Sequence, residues 1–403
     1  MDFSFFKPFN ETFNEKYGSI QKQYPYAFLL IEKQIRNFES GSVELSIQNL
    51  KKSSRLNFGR TIRSTIFAHT YEGSSQSQFY MSFERFDWLE SRLTQRITEK
   101  GFLRFKQVKQ LGRLATRGLA YPKFMRIAAK SGIVSALERK ELLKKMDVEG
   151  KRNFELIKAV IVKSKIRLFF TDGDTQPHAQ MYCRAARELN IPYVIFAHGY
   201  IQNPMLVGIA PINGLYLIPW TRNQFEDLAA HLDDHDARKL RYFGYPKELF
   251  SGVGCTEEVL IAWHTVLDRD READLASLLA TIYRVRAEGY KVKVRLHPKD
   301  SNDDQLCQFL AKQNVDISRR SLQDDIRSAG LVIGSFSSVM VEASMSGKKV
   351  LQLEAYSSIP FEQVPVLHSN ETIREAAQNL ERQFSLDSFD FEAFEAFCQE
   401  ILT

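Results

Sequence analysis

The sequence has little cysteine and no long apolar run. Its 403 residues include four cysteines, namely Cys183, Cys255, Cys307 and Cys398. No two of them are spaced as a CxxC pair, which argues against a motif of that kind and favours reduced, buried thiols in a cytosolic protein. No apolar stretch reaches the ~18–20 residues of a membrane-spanning helix, so no spanning segment is expected.

The amino-terminal residues also lack the basic start and the long apolar core of a secretory signal peptide. A cytoplasmic protein is therefore expected. Apolar residues make up 44% and charged residues 26% of the chain, which is typical of soluble globular proteins. At this length the chain has room for two ordinary domains, each with a full hydrophobic core.

Positive charge is concentrated between residues 92 and 145, where the pattern predicts helices. This segment has fifteen Lys or Arg residues and three acids, although the net charge of the whole chain is only +6. It is either a solvated helical face or a surface that docks on anionic lipid or holds an acidic polymer. No nucleic-acid-binding motif accompanies the charge, so nucleic acid is not expected as a partner.

Strands and helices alternate regularly from about residue 153 onward, which predicts parallel sheets. The apolar runs predicted as strands are 166–170, 191–197, 215–218, 259–262, 291–296, 330–333 and 350–353. The predicted fold class is α/β, with two Rossmann-like doubly wound domains facing each other across a cleft. The first domain covers 1–248, with the basic helical insertion at about 92–145, and the second covers 249–403.

Two strands of the first domain are followed by residues suited to catalysis. Asp172 comes directly before a glycine, where a carboxylate is placed to act as a general base or a nucleophile. Asp174 is its predicted partner, or it caps the helix that starts at Pro177. His198 follows the next strand, either as a catalytic group or as a packed, hydrogen-bonded histidine. The two aspartates also form a weak divalent-metal motif, but no metal ion or other cofactor is expected.

Polar residues also follow two strands of the second domain, which are predicted to be neighbours. The positions predicted to bind a donor nucleotide are Arg295, His297, Pro298, Lys299, Ser335, Ser337, Ser338 and Glu342. His297 precedes a proline that fixes the turn, so its imidazole is suited to hold a phosphate. The hydroxyls near Ser335 precede a helix start, whose free N–H groups and positive dipole end also favour phosphate. Glu342 either accepts hydrogen bonds from ribose hydroxyls or is an ordinary helix residue.

These residues resemble the motifs of a known group of enzymes. The tripeptide Thr-Asp-Gly at 171–173, His297–Pro298 and Ser337–Ser338 occur in the order of three motifs found in bacterial sialyltransferases and polysialyltransferases. The first of those motifs begins with an acid in the family and with threonine here. The strand-Gly-Ser-x-Ser-Ser-helix pattern at 330–346 is similar to the carboxyl-terminal half of bacterial surface-polysaccharide transferases of GT-B architecture. That group also includes Kdo transferases and teichoic-acid glycerophosphotransferases.

The resemblance implies a glycosyltransferase of capsule, O-antigen or lipooligosaccharide synthesis. Its donor would be a CMP-activated Kdo or sialic acid, and its acceptor a glycan or a lipid-linked glycan at the inner membrane. Asp172 would deprotonate the acceptor hydroxyl or attack the anomeric carbon. The alternatives are a CDP-glycerol-type polyol phosphotransferase with His198 as its base, and a non-catalytic glycan-binding protein.

Overall fold

The fold is described by a computed structural model. It describes residues 6–39, 79–81, 118–163, 166–171, 177–197, 214–245, 255–263, 271–297, 300–301, 303–335, 338–354, 364–378 and 387–402. The chain divides into two compact units, of which the first is Met1–Pro246 together with Ser388–Thr403 and the second is Lys247–Asp387. Each unit contains a parallel sheet with helices between its strands, so the predicted α/β class with two Rossmann-like domains is confirmed.

Four long helices form part of the first unit. They are α1 (Phe6–Gln23), α2 (Pro25–Glu39), α3 (Ala120–Leu137) and α4 (Lys140–Lys163). α4 buries Leu143, Met146 and Phe154 at the spacing of one helical face. α2 and α4 approach closely, because a Cβ at Gly150 would lie only 3.0 Å from the Cβ of Tyr26. None of the described helices has the length and the apolar character needed to cross a lipid bilayer.

The sheet of the first unit has four parallel strands. In chain order they are β1 (Phe79–Met81), β2 (Ile166–Thr171), β3 (Tyr193–Phe196) and β4 (Tyr216–Ile218), and this is also their order in the sheet. α5 (Pro177–Glu188) connects β2 to β3, and α6 (Arg222–His231) and α7 (Asp234–Ala237) follow β4. β3 is buried along its whole length, as expected for a strand covered on both faces.

The sheet of the second unit has five parallel strands. They are β5 (Cys255–Trp263), β6 (Lys291–Leu296), β7 (Ala329–Gly334), β8 (Lys349–Leu353) and β9 (Val366–Leu367). The helices are α8 (Arg271–Ala287), α9 (Asp304–Lys312), α10 (Leu322–Ser328), α11 (Ser338–Met345) and α12 (Ile373–Gln378). The strand order is β6-β5-β7-β8-β9. It therefore reverses at β5, the position where open α/β sheets bind ligands beyond their carboxyl ends.

The last helix, α13 (Phe391–Glu400), belongs to the first unit. The ring of Phe394 lies 5.8 Å from that of Phe170 on β2 and 5.6 Å from that of Phe196 on β3. Just before this helix, Ser388 forms a parallel β-bridge with Tyr245. The sequence-based range of the second domain, 249–403, therefore differs from the structure at its end, because aromatic packing places this segment on the first sheet.

Candidate functional site

The carboxyl edge of the second sheet brings two predicted residues to the end of one strand. The backbone N–H of His297, directly after β6, donates to the carbonyl of Trp263 at 3.0 Å. The backbone N–H of Ser335, directly after β7, donates to the carbonyl of Ala262 at 3.2 Å. Both acceptors are the last residues of β5. His297 and Ser335 therefore flank β5, and the prediction that their strands are neighbours is wrong, because β5 pairs with both and lies between them.

His297 is half-buried and its backbone is held at both ends. Its carbonyl accepts the N–H groups of Asp300 at 2.8 Å and Ser301 at 2.9 Å, which closes a tight turn after β6. Asp303 then caps α9 by accepting the N–H of Leu306 at 3.2 Å. These bonds fix the position from which the imidazole projects. Pro298 and Lys299 lie outside the described residues.

Ser335 is fully buried at the junction between β7 and α11. Its carbonyl accepts the side-chain N–H of Gln352, on β8, at 3.2 Å. Gly334 permits the close approach of α11, since a Cβ at this position would overlap the Cγ and Sδ of the buried Met340. The main chain at the end of β7 is thus held by the sheet on one side and by the helix on the other.

Helix α11 begins at Ser338, which is half-buried. Its first turn contains no acidic residue, so no side-chain carboxylate within that turn opposes the positive end of the helix dipole. Such a terminus suits an anion, and phosphates are the usual ligands of this kind in α/β proteins. Glu342, one turn further on, is only 8% exposed, which is unusual for a carboxylate and sets it apart from ordinary surface residues. Ser337 lies outside the described residues.

Arg295 has a structural explanation that alternation along the strand did not predict. Its Nη1 donates to Oδ2 of Asp325 at 2.7 Å and to the carbonyl of Arg320 at 2.9 Å. Asp325 is fully buried on α10, and its other oxygen accepts the hydroxyl of Ser318 at 2.6 Å. A buried carboxylate needs such partners, and Arg295 supplies the opposite charge. Its contact with a phosphate therefore stays a prediction beside this established role.

The carboxyl edge of the first sheet is described only in part, because Asp172, Asp174 and His198 lie outside the described residues. β2 and β3 are adjacent and parallel, with Thr171 in register with Ile195. The carboxyl ends of β2 and β3 therefore lie at the same edge of the sheet. The catalytic roles given to the three polar residues stay predictions.

The described part of this edge is built around Trp220, which sequence reasoning missed. Its indole N–H donates to the carbonyl of Ala197 at 2.7 Å, and its backbone N–H donates to the side-chain oxygen of Gln224 at 2.8 Å. Thr221 accepts the N–H of Gln224 at 3.1 Å and caps α6. The sequence Thr-x-x-Gln is a capping-box pattern, so this signal was available in the chain.

Trp263 is a second residue that sequence reasoning missed as a structural element of the site. It is the last residue of β5, 1% exposed, and belongs to the core cluster that includes Leu278 and Leu306. Its buried Nε1 has no hydrogen-bond partner in the described structure. The indole thus anchors the end of β5, whose backbone holds His297 and Ser335, in the hydrophobic core. Among the described residues no cluster of His, Cys, Asp or Glu could hold a metal ion.

Comparison with known proteins finds structural likeness only. No protein-family profile and no curated protein matches the chain. UDP-GlcNAc 2-epimerase of Methanocaldococcus jannaschii, in complex with UDP-GlcNAc and UDP, has a TM-score of 0.47 at 13% identity, over 80% of this chain and 98% of its own. A putative UDP-N-acetylglucosamine 2-epimerase of Listeria monocytogenes has a TM-score of 0.49 at 12% identity, over 81% of this chain and 98% of its own. TarM of S. aureus has a TM-score of 0.36 at 14% identity, over 62% of this chain and 55% of its own. These likenesses carry no functional argument for this chain.

Proposed function

We propose that the protein is a glycosyltransferase whose second unit binds the nucleotide of an activated sugar at the carboxyl edge of its sheet. The observation that carries the proposal is the placement of His297 and Ser335 on the two sides of the end of β5. This is the point at which the strand order reverses, and ligands of open α/β sheets bind there. With strands ~4.8 Å apart, two positions separated by one strand are ~10 Å apart, which suits groups that approach one ligand from both sides.

The start of α11 is the proposed phosphate site. Its first turn carries hydroxyl and backbone donors and no acid. Gly334 and the bond from Gln352 to Ser335 hold this turn in place before any ligand arrives. A preformed donor site loses little entropy on binding, so it contributes more net affinity. Ser335, Ser337 and Ser338 are the proposed phosphate-binding serines, and Glu342 is the proposed ribose-binding residue.

His297 is the proposed second contact to the phosphate. A protonated imidazole, or a neutral one that donates a hydrogen bond, stabilises the negative charge that develops on a leaving nucleotide. The turn that fixes the His297 backbone makes this contact preorganised. Lys299 and Arg295 would add positive charge near it.

The donor we propose is a CMP-activated sugar of the Kdo or sialic-acid type, and the acceptor is a glycan of a bacterial surface polysaccharide. The support is the order of the three motifs at 171–173, 297–298 and 337–338 in the sequence. Asp172 is the proposed base that deprotonates the acceptor hydroxyl, or the nucleophile of a double displacement. Both roles need a carboxylate at that position.

Calorimetric titration of CMP and UMP tests the nucleotide site. The wild type is expected to bind CMP, and His297→Ala is expected to weaken binding by about 1.5–3 kcal/mol through loss of a charge-assisted contact. His235→Ala is the matched control, because this histidine is exposed on α7 of the first unit. Unchanged CMP affinity in His297→Ala would refute the assignment. Tighter binding of UMP than of CMP would support the nucleotide site but would identify the donor as a uridine-activated sugar instead of a CMP-activated one.

Mass spectrometry of the product separates the reactions. Incubation with a CMP-activated sugar and a glycan acceptor is expected to add the mass of the sugar. Addition of glycerophosphate from CDP-glycerol would instead show the polyol phosphotransferase. Binding of CMP without transfer from either donor would contradict the proposal that the protein is a transferase and would favour a non-catalytic glycan-binding protein.

A further inference from the structure

Helices α3 and α4 carry an exposed surface that the proposed function does not use. They pack against each other as a hairpin, and the carboxylate of Glu149 on α4 accepts the N–H of Ala120 on α3 at 3.0 Å. We call their solvent-exposed side the hairpin face. Its defining residues are Lys123, Arg126, Lys130 and Val134 on α3, and Lys144, Val148, Lys151 and Val162 on α4. α3 is kinked at Gly132, whose φ is 86°. Arg126 and Lys130 share one side of the segment before the kink, at four-residue spacing, and Val134 lies on the segment after it.

The hairpin face is strongly cationic. Residues 118–163 contain eleven Lys or Arg residues and five acids, and α3 contains no acid at all. Two of the five acids are held by backbone donors and are not available to an outside partner. Asp147 accepts the N–H groups of Tyr26 at 2.7 Å and Ala27 at 3.0 Å, and Glu149 accepts that of Ala120. The cations of the face are therefore only partly compensated.

Aliphatic side chains are exposed among these cations. Eight large apolar side chains are exposed in the described part of the chain, and five of them belong to this hairpin. These five are Leu119, Val134, Val148, Leu156 and Val162, with exposures of 65%, 49%, 65%, 41% and 60%. Three of them, Val134, Val148 and Val162, belong to the hairpin face. Single exposed apolar residues are normal on a surface, whereas a concentration on one element marks a place where a partner covers it.

We propose that the hairpin face docks on the surface of an anionic lipid bilayer. Lys and Arg are attracted to acidic headgroups, and Val and Leu gain free energy by entering the boundary between headgroups and acyl chains. A nucleic acid would match the positive charge but would leave the aliphatic side chains without an apolar partner. Docking requires neither donor nor acceptor, so this inference is independent of the proposed glycosyl transfer.

Co-sedimentation with vesicles tests the proposal. Vesicles of phosphatidylglycerol and phosphatidylcholine are expected to bind the protein at low salt, and vesicles of phosphatidylcholine alone are not. Each neutralised cation is expected to weaken binding about fivefold, so Arg126→Gln/Lys130→Gln is expected to weaken it about 30-fold. The matched control Lys312→Gln/Arg319→Gln removes the same charge from exposed positions of the second unit and is expected to bind as the wild type does.

The apolar contribution has its own pair of variants. Val134→Ser/Val148→Ser is expected to weaken vesicle binding about tenfold at unchanged net charge. Leu215→Ser, which changes a side chain of similar exposure in the same unit, is expected to have no effect. Absence of phosphatidylglycerol-dependent sedimentation at low salt would overturn the proposal, and so would equal losses in the variants and their controls. Release from the vesicles by duplex DNA at equal phosphate concentration would overturn it in favour of a nucleic acid.

Discussion

Replacing Gly334 by alanine is expected to displace α11 from the end of β7. The added Cβ would overlap the Cγ and Sδ of Met340, and Met340 is fully buried, so its side chain cannot move out into solvent. Overpacking of this kind typically costs about 1–3 kcal/mol of unfolding free energy. For a unit of this size we expect the melting temperature to fall by about 3–10 °C. Because α11 carries the proposed phosphate site, CMP affinity is expected to fall in the same variant.

The reasoning is tested by a double-mutant cycle measured by urea unfolding. Met340→Ala removes the overlapping atoms. The double variant Gly334→Ala/Met340→Ala is therefore expected to lose less unfolding free energy than the two single variants lose in sum. Gly18→Ala is the matched control, because its Cβ would meet nothing within 4 Å and alanine favours the α1 helix by about 0.5–1 kcal/mol. Additive energies in the cycle, or wild-type stability of Gly334→Ala, would refute the packing argument.

Three further predictions concern the sites. Asp172→Asn keeps size and hydrogen bonding but removes basicity, so turnover is expected to be lost with CMP binding preserved, and wild-type turnover would remove Asp172 from the mechanism. Asp325→Ala is expected to lower the unfolding free energy by about 3 kcal/mol, at the lower end for a broken buried pair because 24% of the Arg295 side chain is exposed. CMP affinity is expected to persist in that variant because Arg295 is retained, and wild-type stability of the variant would refute the structural role of the pair. Transfer is expected to proceed in excess EDTA, since in the proposed site helix N–H groups and basic side chains would hold the phosphates without a metal ion. Strict dependence on magnesium would instead support the metal motif of Asp172 and Asp174.

Local patterns in the sequence predicted the two strands that precede His297 and Ser335 in the second unit. The apolar runs 291–296 and 330–333 coincide with β6 and β7 to within one residue at each end. Runs bounded by glycine and polar residues carry this information within a few positions, so no distant partner is needed to recognise them. The residues that follow the two strands, His297 and Ser335, were placed at the carboxyl edge of the sheet for the same reason.

Features that depend on distant residues were not predictable. The position of β5 between β6 and β7 is decided by pairing between strands that lie far apart in the chain. Alternation indicates the side of β6 on which Arg295 lies, but not that a buried Asp325, thirty positions later, will take its charge. The phenylalanines of α13 indicate that this helix is buried, but they do not indicate which sheet it packs against. Each case requires a tertiary contact that composition and periodicity do not encode.

The return of α13 to the first sheet also affects the order in which the two units are completed during synthesis. Phe394 contributes to the core of the first unit but is translated after the whole of the second. The second unit can therefore close its core on the ribosome before the aromatic side chains of α13 complete the core of the first. The bridge between Tyr245 and Ser388 holds two chain positions of the first unit side by side, at the ~5 Å spacing of paired strands. Residues 247–387 could thus be deleted and the remaining chain ends joined by a linker of a few glycines.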